Sequence, residues 1–234
     1  FWGYTFAGIW QEDEVNAPFV DANGQTNGKT NGEVYKVKPG NSKYVDVNKD
    51  GVYNDADQGI IGCGQPTFNW GWNNTFNYKN FDFSFFVVGF HGFDIYNATH
   101  QMGYNLIKSQ QMAGVTPMRE LLNRWTPTNT NTDIPGFVKG GTENKDFFST
   151  RFVENGSFIK MKSITLGYTL PEATCRSLGI NNLRVYASVQ NPFHITKYSG
   201  LDPEATMGSP LVQGVDWGAY PNSRNYLIGL NFSF

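Results

Sequence analysis

Apolar and polar residues alternate in the closing stretch of the chain, residues 224–234. Tyr226, Ile228, Leu230, Phe232 and Phe234 fall at one phase; Leu227, Gly229, Asn231 and Ser233 fall at the other. Side chains of a strand point alternately to opposite faces, so this phase predicts a strand with one apolar and one small or polar face. The apolar face is aromatic at both ends, as in a strand of about 9–11 residues that crosses a bilayer with aromatics at its interfaces. The rhythm recurs upstream. Residues 67–78 set Phe68, Trp70, Trp72, Phe76 and Tyr78 against Asn69, Gly71, Asn73, Thr75 and Asn77. Residues 81–90 set Phe81, Phe83, Phe85 and Val87 against Asp82 and Ser84. Only Lys79-Asn80 separates these two runs, which predicts a tight hairpin. Residues 157–170 place Ile164, Leu166, Tyr168 and Leu170 on one face, with Lys160 and Lys162 in phase just before them, where a strand would leave hydrocarbon. Residues 183–189 set Leu183, Val185, Ala187 and Val189 against Arg184, Tyr186 and Ser188. Residues 1–10 read as one further strand, with Trp2, Tyr4 and Phe6 sharing a face.

The connections alternate in length. Residues 11–65 are long, polar and turn-rich; residues 91–156 are long, with a helical candidate over residues 117–125 that has Pro in its first turn. Residues 171–182 make a medium turn with room for one helical turn, and residues 191–222 make a third long loop. Short turns on one side and long loops on the other are the habit of bacterial outer-membrane barrels. The fold expected is therefore all-β: an antiparallel transmembrane β-barrel with long extracellular loops and a periplasmic C-terminus. About six strands fall short of the 8 in the smallest single-chain barrels, so residues 1–234 read as one segment of a larger barrel. The opening at Phe1, inside strand-like sequence, suggests the same. A secreted β-sandwich, stabilised by calcium and binding glycans or acting in adhesion, is the alternative.

Composition sharpens this only in part. Aromatic residues make up 16% and charged residues 16%, with 26 Gly, which suits a β protein with aromatic girdles and many turns. Mean hydropathy is −0.42, which a barrel tolerates because only every second strand residue meets lipid. There is no apolar run of about 18 residues, so no transmembrane helix is expected, and no signal peptide is visible. A net charge of −2 gives no support for nucleic-acid binding. Cys63 and Cys175 are far apart and form no metal spacing.

The sharpest local motif is D-V-N-K-D-G-V-Y-N-D-A-D over residues 46–57. Its oxygen side chains and its Gly51 fit the spacing of a twelve-residue calcium loop. A hard cation wants several oxygens, and glycine allows the turn that wraps the chain around it. Asp46, Asn48 and Asp50 would ligate by side chain, Val52 by its carbonyl and Asn54 directly or through water. Asp57 stands where a bidentate Glu is usual, as in dockerin-type loops. The competing reading is an Asx-rich turn that hydrogen-bonds its own backbone. Catalysis has little support. His91, His100 and His194 lack metal spacing, and no nucleophile-elbow, P-loop or dinucleotide fingerprint occurs. Tyr198, Trp217 and Tyr220 in the last loop could stack on sugar rings or pack within the loop.

Several blocks, in order, resemble SusC/RagA-type TonB-linked outer-membrane transporters of Bacteroidota. They are D-V-N-K-D-G with I-I-G-C-G-Q-P-T-F-N-W-G-W-N-N-T-F-N-Y-K-N-F-D-F-S-F-F, V-E-N-G-S-F-I-K-M-K-S-I-T-L-G-Y-T-L-P, L-R-V-Y-A-S-V-Q-N-P-F-H-I-T-K-Y-S-G-L-D-P-E, and the closing Y-P-N-S-R-N-Y-L-I-G-L-N-F-S-F. The resemblance implies the C-terminal part of a plugged barrel of roughly 22 strands. It implies a SusD-like lipoprotein lid, TonB acting through another part of the protein, and import of oligosaccharides or peptides. The remainder of the barrel and outer-membrane lipid would be its structural partners, and no catalytic residue is carried over.

Overall fold

In chain order, the computed structural model begins with six short strands: β1 (Trp2–Tyr4), β2 (Phe6–Ile9), β3 (Pro18–Val20), β4 (Thr26–Thr30), β5 (Ser42–Tyr44) and β6 (Gln58–Ile60). The long strands β7 (Phe68–Tyr78) and β8 (Phe81–His91) follow, then the short β9 (Asp94–Asn97) and β10 (Val153–Asn155). Two more long strands, β11 (Phe158–Thr169) and β12 (Asn182–Thr196), precede the two-residue β13 (Val215–Asp216) and the closing β14 (Asn225–Ser233). Residues 1–104, 118–137, 148–177, 179–207 and 213–233 are described. They form two units, one of residues 1–62, 96–153 and 215–218, the other of residues 63–95, 154–214 and 219–234.

The second unit is built on one antiparallel sheet, ordered β14-β12-β11-β8-β7. The hairpin expected at Lys79-Asn80 forms with eleven paired residues on each side, Phe68 opposite His91 and Tyr78 opposite Phe81. Lys79 takes a positive φ of 52° there, as a tight strand reversal requires. The medium turn holds the short helix Glu172–Ser177. Ser233 lies opposite Asn182, so the end of β14 shares an edge of the sheet with the two shorter turns. Phe234, expected to end the apolar row, lies outside the described residues.

The first unit carries the short elements. The strand expected over residues 1–10 divides there: β1 pairs with β6, β2 pairs with β5, and neither joins the long sheet. The division falls at Thr5, where the chain passes from its pairing with β6 to its pairing with β5; inside β2, Gly8 at φ 115° accompanies a register shift against β5. Trp2 and Tyr4 do share a strand face, yet Trp2 is exposed and Tyr4 buried. The long sheet thus has five strands from this chain, where about six were expected. Two apolar clusters hold the unit: Trp10, Val15 and Val37, and Tyr96, Ala98 and Phe152 with Phe1 and Phe148 against them. The helical candidate at residues 117–125 is a 3-10 turn, Arg119–Asn123; Pro117 lies outside the described residues.

Candidate functional site

The five-stranded sheet has two chemically different faces, and the register shows how they arise. Residues opposite one another in a ladder share a face. Trp72, Val87 and Met161 therefore line up, as do Phe76, Phe83, Leu166, Ala187 and Ile228. A third row runs Tyr78, Phe81, Tyr168, Val185 and Leu230. These side chains are not sealed by a second layer: Phe76 is 55% exposed, Trp72 56%, Leu230 60% and Ile228 85%. At the far end of the hairpin Trp70 donates its indole N–H to His91 Nε2 at 3.1 Å, and both rings stack with their neighbours. His91 thus belongs to an aromatic rim on the apolar face.

The opposite face is polar over most of its length, with Phe86, Val88, Phe90 and Phe158 gathered toward the end away from the short turns. Asn73, Thr75, Asn77, Thr165, Ser188 and Asn231 fall on it. Thr165 and Ser188 hydroxyls meet at 2.8 Å. Arg184 donates from Nε to Asp82 at 2.9 Å and again from Nη2, a two-pronged pair that crosses β11 between them. It crosses at Gly167, where any Cβ would fall on the Asp82 carboxylate and the Arg184 guanidinium. The glycine is needed for this close approach.

A bulge changes the phase of this face along β11. Met161 pairs with Val87 and Ser163 with Phe86, leaving Lys162 as the extra residue. A one-residue insertion moves everything beyond it to the other face. Lys160, expected in phase with Ile164, therefore lies on the polar side. On β12 the same irregularity absorbs Asn191, at φ 50°, and Pro192, which has no N–H for the ladder. The strand then continues to Thr196, so the loop expected from residue 191 begins after residue 196.

Lys160 is only 2% exposed, yet it is not alone. Its ammonium donates to Asp202 at 2.8 Å and contacts Glu204 at 2.7 Å. Lys162 pairs with the other Glu204 oxygen. Asn222 donates its amide side chain to Asp202 at 3.1 Å and to Glu204 at 2.9 Å, and its backbone N–H to Asp202 at 3.1 Å. Burial alone would raise both carboxyls, but the hydrogen bonds and charge of Lys160, joined at Glu204 by Lys162, hold both below their usual range. The motif reading missed this network. Its only trace in the sequence is two matched pairs, K-M-K and D-P-E, each with one residue between the charges.

The motif at residues 46–57 forms a tight loop held by its own hydrogen bonds. Asp46 Oδ2 accepts from Gly51 N–H and Tyr35 hydroxyl, both at 2.8 Å. Asp50 Oδ1 accepts from Val52 N–H at 2.8 Å, and Asn48 Oδ1 accepts from Asp50 N–H at 3.1 Å. Asp57 accepts from Val47 and Asn54 N–H, and Asn54 Oδ1 accepts from Ala56 N–H. The Val52 carbonyl accepts from Asn54 Nδ2 at 3.1 Å. Gly51 takes φ 83°, the left-handed turn the motif required. Among the described residues no three His, Cys, Asp or Glu side chains gather as a metal cluster. Asp46 Oδ1, however, is buried with no hydrogen-bond partner. Burial pushes the neighbouring Tyr53 hydroxyl up to about 12 and raises Tyr35, with Asp46 adding to the latter. The bond from Val52 N–H lowers the Asp50 carboxyl.

No protein-family model matches the chain. It is 33% identical over 240 residues to TonB-dependent receptor P3 of Formosa agariphila, an alignment covering 100% of this chain and 22% of that one. It is 32% identical over 199 residues to TonB-dependent receptor SusC of Bacteroides thetaiotaomicron, covering 84% of this chain and 18% of that one. A solved structure of the RagAB peptide importer in its "closed-closed" state matches with a TM-score of 0.71 and 25% identity, over 100% of this chain and 23% of that one. The chain spans about a fifth of the length of these curated relatives. Sequence similarity over most or all of this chain and a shared strand arrangement agree: the chain belongs to the SusC/RagA family of TonB-dependent receptors.

Proposed function

We propose that this chain supplies C-terminal wall strands to a TonB-dependent outer-membrane importer, a barrel of roughly 22 strands closed around a plug. The apolar face meets acyl chains. The polar face meets the plug and the passage. The outer edges of β7 and β14 pair with strands from the remainder of the barrel, which removes the open edges of this sheet. The shorter turns and the C-terminus lie in the periplasm, and the long connections lie outside, where a SusD-like lipoprotein covers the mouth. TonB acts on a part of the protein beyond these residues, and no step is enzymatic. The cargo is an oligosaccharide or a peptide; one solved relative is a peptide importer.

The observation that carries this reading is the uncovered aromatic and aliphatic face across all five strands. Monomers in water rarely expose an apolar patch above a few hundred Å². A secreted sandwich would have to bury this face against a second sheet. Leu230→Arg tests it. An Arg facing lipid near the midplane costs about 2–4 kcal/mol, whereas an exposed position in water changes by about 0.5 kcal/mol or less. We expect the variant of the full protein to be depleted from outer membranes; normal levels there would sink the reading.

The loop at residues 46–57 is assigned to calcium as a structural ion. Asp46, Asn48, Asp50, the Val52 carbonyl, Asn54 and Asp57 would hold it. The unpaired, buried Asp46 Oδ1 favours this, since a lone buried carboxylate oxygen is costly without a cation or donor.

A further inference from the structure

The chain contains four Asn-Gly pairs, at residues 23–24, 27–28, 31–32 and 155–156. In such a pair the glycine nitrogen can attack the asparagine side-chain carbon, because glycine has no Cβ to screen it and turns freely. Sequence ranks the four alike; the structure does not. Attack needs a glycine nitrogen with room to turn, a polarised side-chain carbonyl and an amide group free to leave.

Asn155 has the polarised carbonyl, since its Oδ1 accepts from Ser157 N–H at 2.8 Å, but Gly156 N–H donates to the Phe93 carbonyl at 2.9 Å. A Cβ on Gly156 would fall 2.4 Å from the Phe93 ring, so this nitrogen has no room to turn. Asn31 is held by its leaving group. Its Nδ2 donates to the Glu14 carbonyl at 2.9 Å, and Gly32 packs against Val15 inside the helix Asn31–Tyr35. Asn23 is exposed, but Gly24 N–H donates to the Asp21 carbonyl at 3.0 Å. The Asp21 carboxylate, bound to the N–H groups of Asn23 and Gln25, disfavours negative charge there. Asn27 differs. It is exposed, its Oδ1 accepts from Lys29 N–H at 3.0 Å, and among the described residues its Nδ2 has no partner. Gly28 has φ 75°, with open space where a Cβ would stand, in the part of β4 where the register against β3 shifts.

We propose that Asn27 is a self-modification site, converting to aspartate and isoaspartate faster than any other Asn-Gly pair of the chain. The Gly28 nitrogen bonds to Asn27 Cγ, its proton passes through water to Nδ2, and the Cγ–Nδ2 bond breaks with loss of ammonia. Lys29 N–H steadies the oxygen on which negative charge gathers during attack. Water then opens the cyclic imide at either carbonyl. Attack at Cγ gives aspartate; attack at the main-chain carbonyl gives isoaspartate, whose chain runs through the former side chain. No electrons change hands. Either product puts a new carboxylate on the exposed strand β4. Isoaspartate also lengthens the backbone just before Thr30, which exchanges capping bonds with Glu33 at the start of the helix Asn31–Tyr35.

The test uses the full-length protein purified in detergent and kept for several weeks at mildly alkaline pH, folded in one sample and unfolded by guanidinium in another. Peptide mapping by mass spectrometry with electron-transfer fragmentation counts asparagine, aspartate and isoaspartate at each pair. Unfolded, the four pairs should convert at similar rates. Folded, Asn27 should lead. Asn31 and Asn155 should lag it by about ten-fold or more, since attack there must first break a hydrogen bond and part packed neighbours. Lys29→Pro removes the polarising N–H and leaves the Asn-Gly pair intact, so it should lower the folded-to-unfolded rate ratio at Asn27 and not at Asn155. The proposal is overturned if Asn23, Asn31 or Asn155 converts as fast as Asn27 in the folded protein, or if folding slows Asn27 as much as it slows Asn155. An unchanged ratio in Lys29→Pro overturns the part given to that N–H.

Discussion

Replacing Lys160 by Met removes one charge and keeps most of the apolar stem. Lys160 and Asp202 each have side chains only 3% exposed, so the change leaves a buried carboxylate without its main partner. Breaking a buried pair in this way costs about 3–5 kcal/mol. The lower end applies, because Asp202 keeps two bonds from Asn222, and Glu204 keeps Lys162 and Asn222. The five-stranded sheet, held by long ladders, will not unfold for about 3 kcal/mol; the loop that Asp202 anchors will open more often. The backbone N–H groups of Glu204 and Asn222 both donate to Asp202, so they report that opening. A loss of about 3 kcal/mol means roughly 100-fold faster hydrogen exchange at these amides, read by mass spectrometry on the full-length protein. Exchange at the wild-type rate would refute the claim that this network pins the loop. The pH dependence has a defined sign. Both acids have lowered folded-state values, so the anchoring is complete above the ordinary carboxylate range and is lost as pH falls through those lowered values. Lys160→Met removes the cause of the lowering, so protection should then be lost at a higher pH than in wild type. Adding Asp202→Asn to Lys160→Met should cost less than the sum of the two single changes, because the second change removes the orphaned charge.

The other expectations are more local. Gly167→Ala should displace the Asp82–Arg184 pair, whose side-chain ends can swing aside, and cost about 1 kcal/mol or less, seen as a slightly lower temperature for loss of the folded band in gel-shift assays; a drop as large as a core substitution gives would refute this. Asp50→Ala should lower the calcium content of the purified protein, measured by elemental analysis, and equal content in both proteins ends the calcium assignment. Leu230→Arg, described above, probes the exposed apolar face.

Alternation along the chain was enough to place the long sheet. Four of its strands lie where the phase predicted, and the exposed aromatic face is the one read from Trp72, Phe83, Leu166 and Leu230. A strand's period of two is local, so it survives without knowledge of the partner. The phase failed where geometry is not local. Residues 1–10 alternate like one long strand, but pairing with two distant segments diverts them into small sheets. Asn191-Pro192 reads as the end of a strand, because nothing nearby in sequence reveals that a bulge will carry β12 on to Thr196. The tight loop at residues 46–57 was legible because the spacing of its polar residues and Gly51 is the signal; the hydrogen-bond count that leaves Asp46 Oδ1 bare needs the folded loop. Lys160 shows the division most clearly. Its sequence phase puts it with the apolar row, at the exit from hydrocarbon. One extra residue in the ladder turns it to the opposite face, where Asp202 and Glu204, far along the chain, make its burial tolerable. Face preference is written in neighbouring residues, but the partner of a buried charge exists only once the chain has closed on itself.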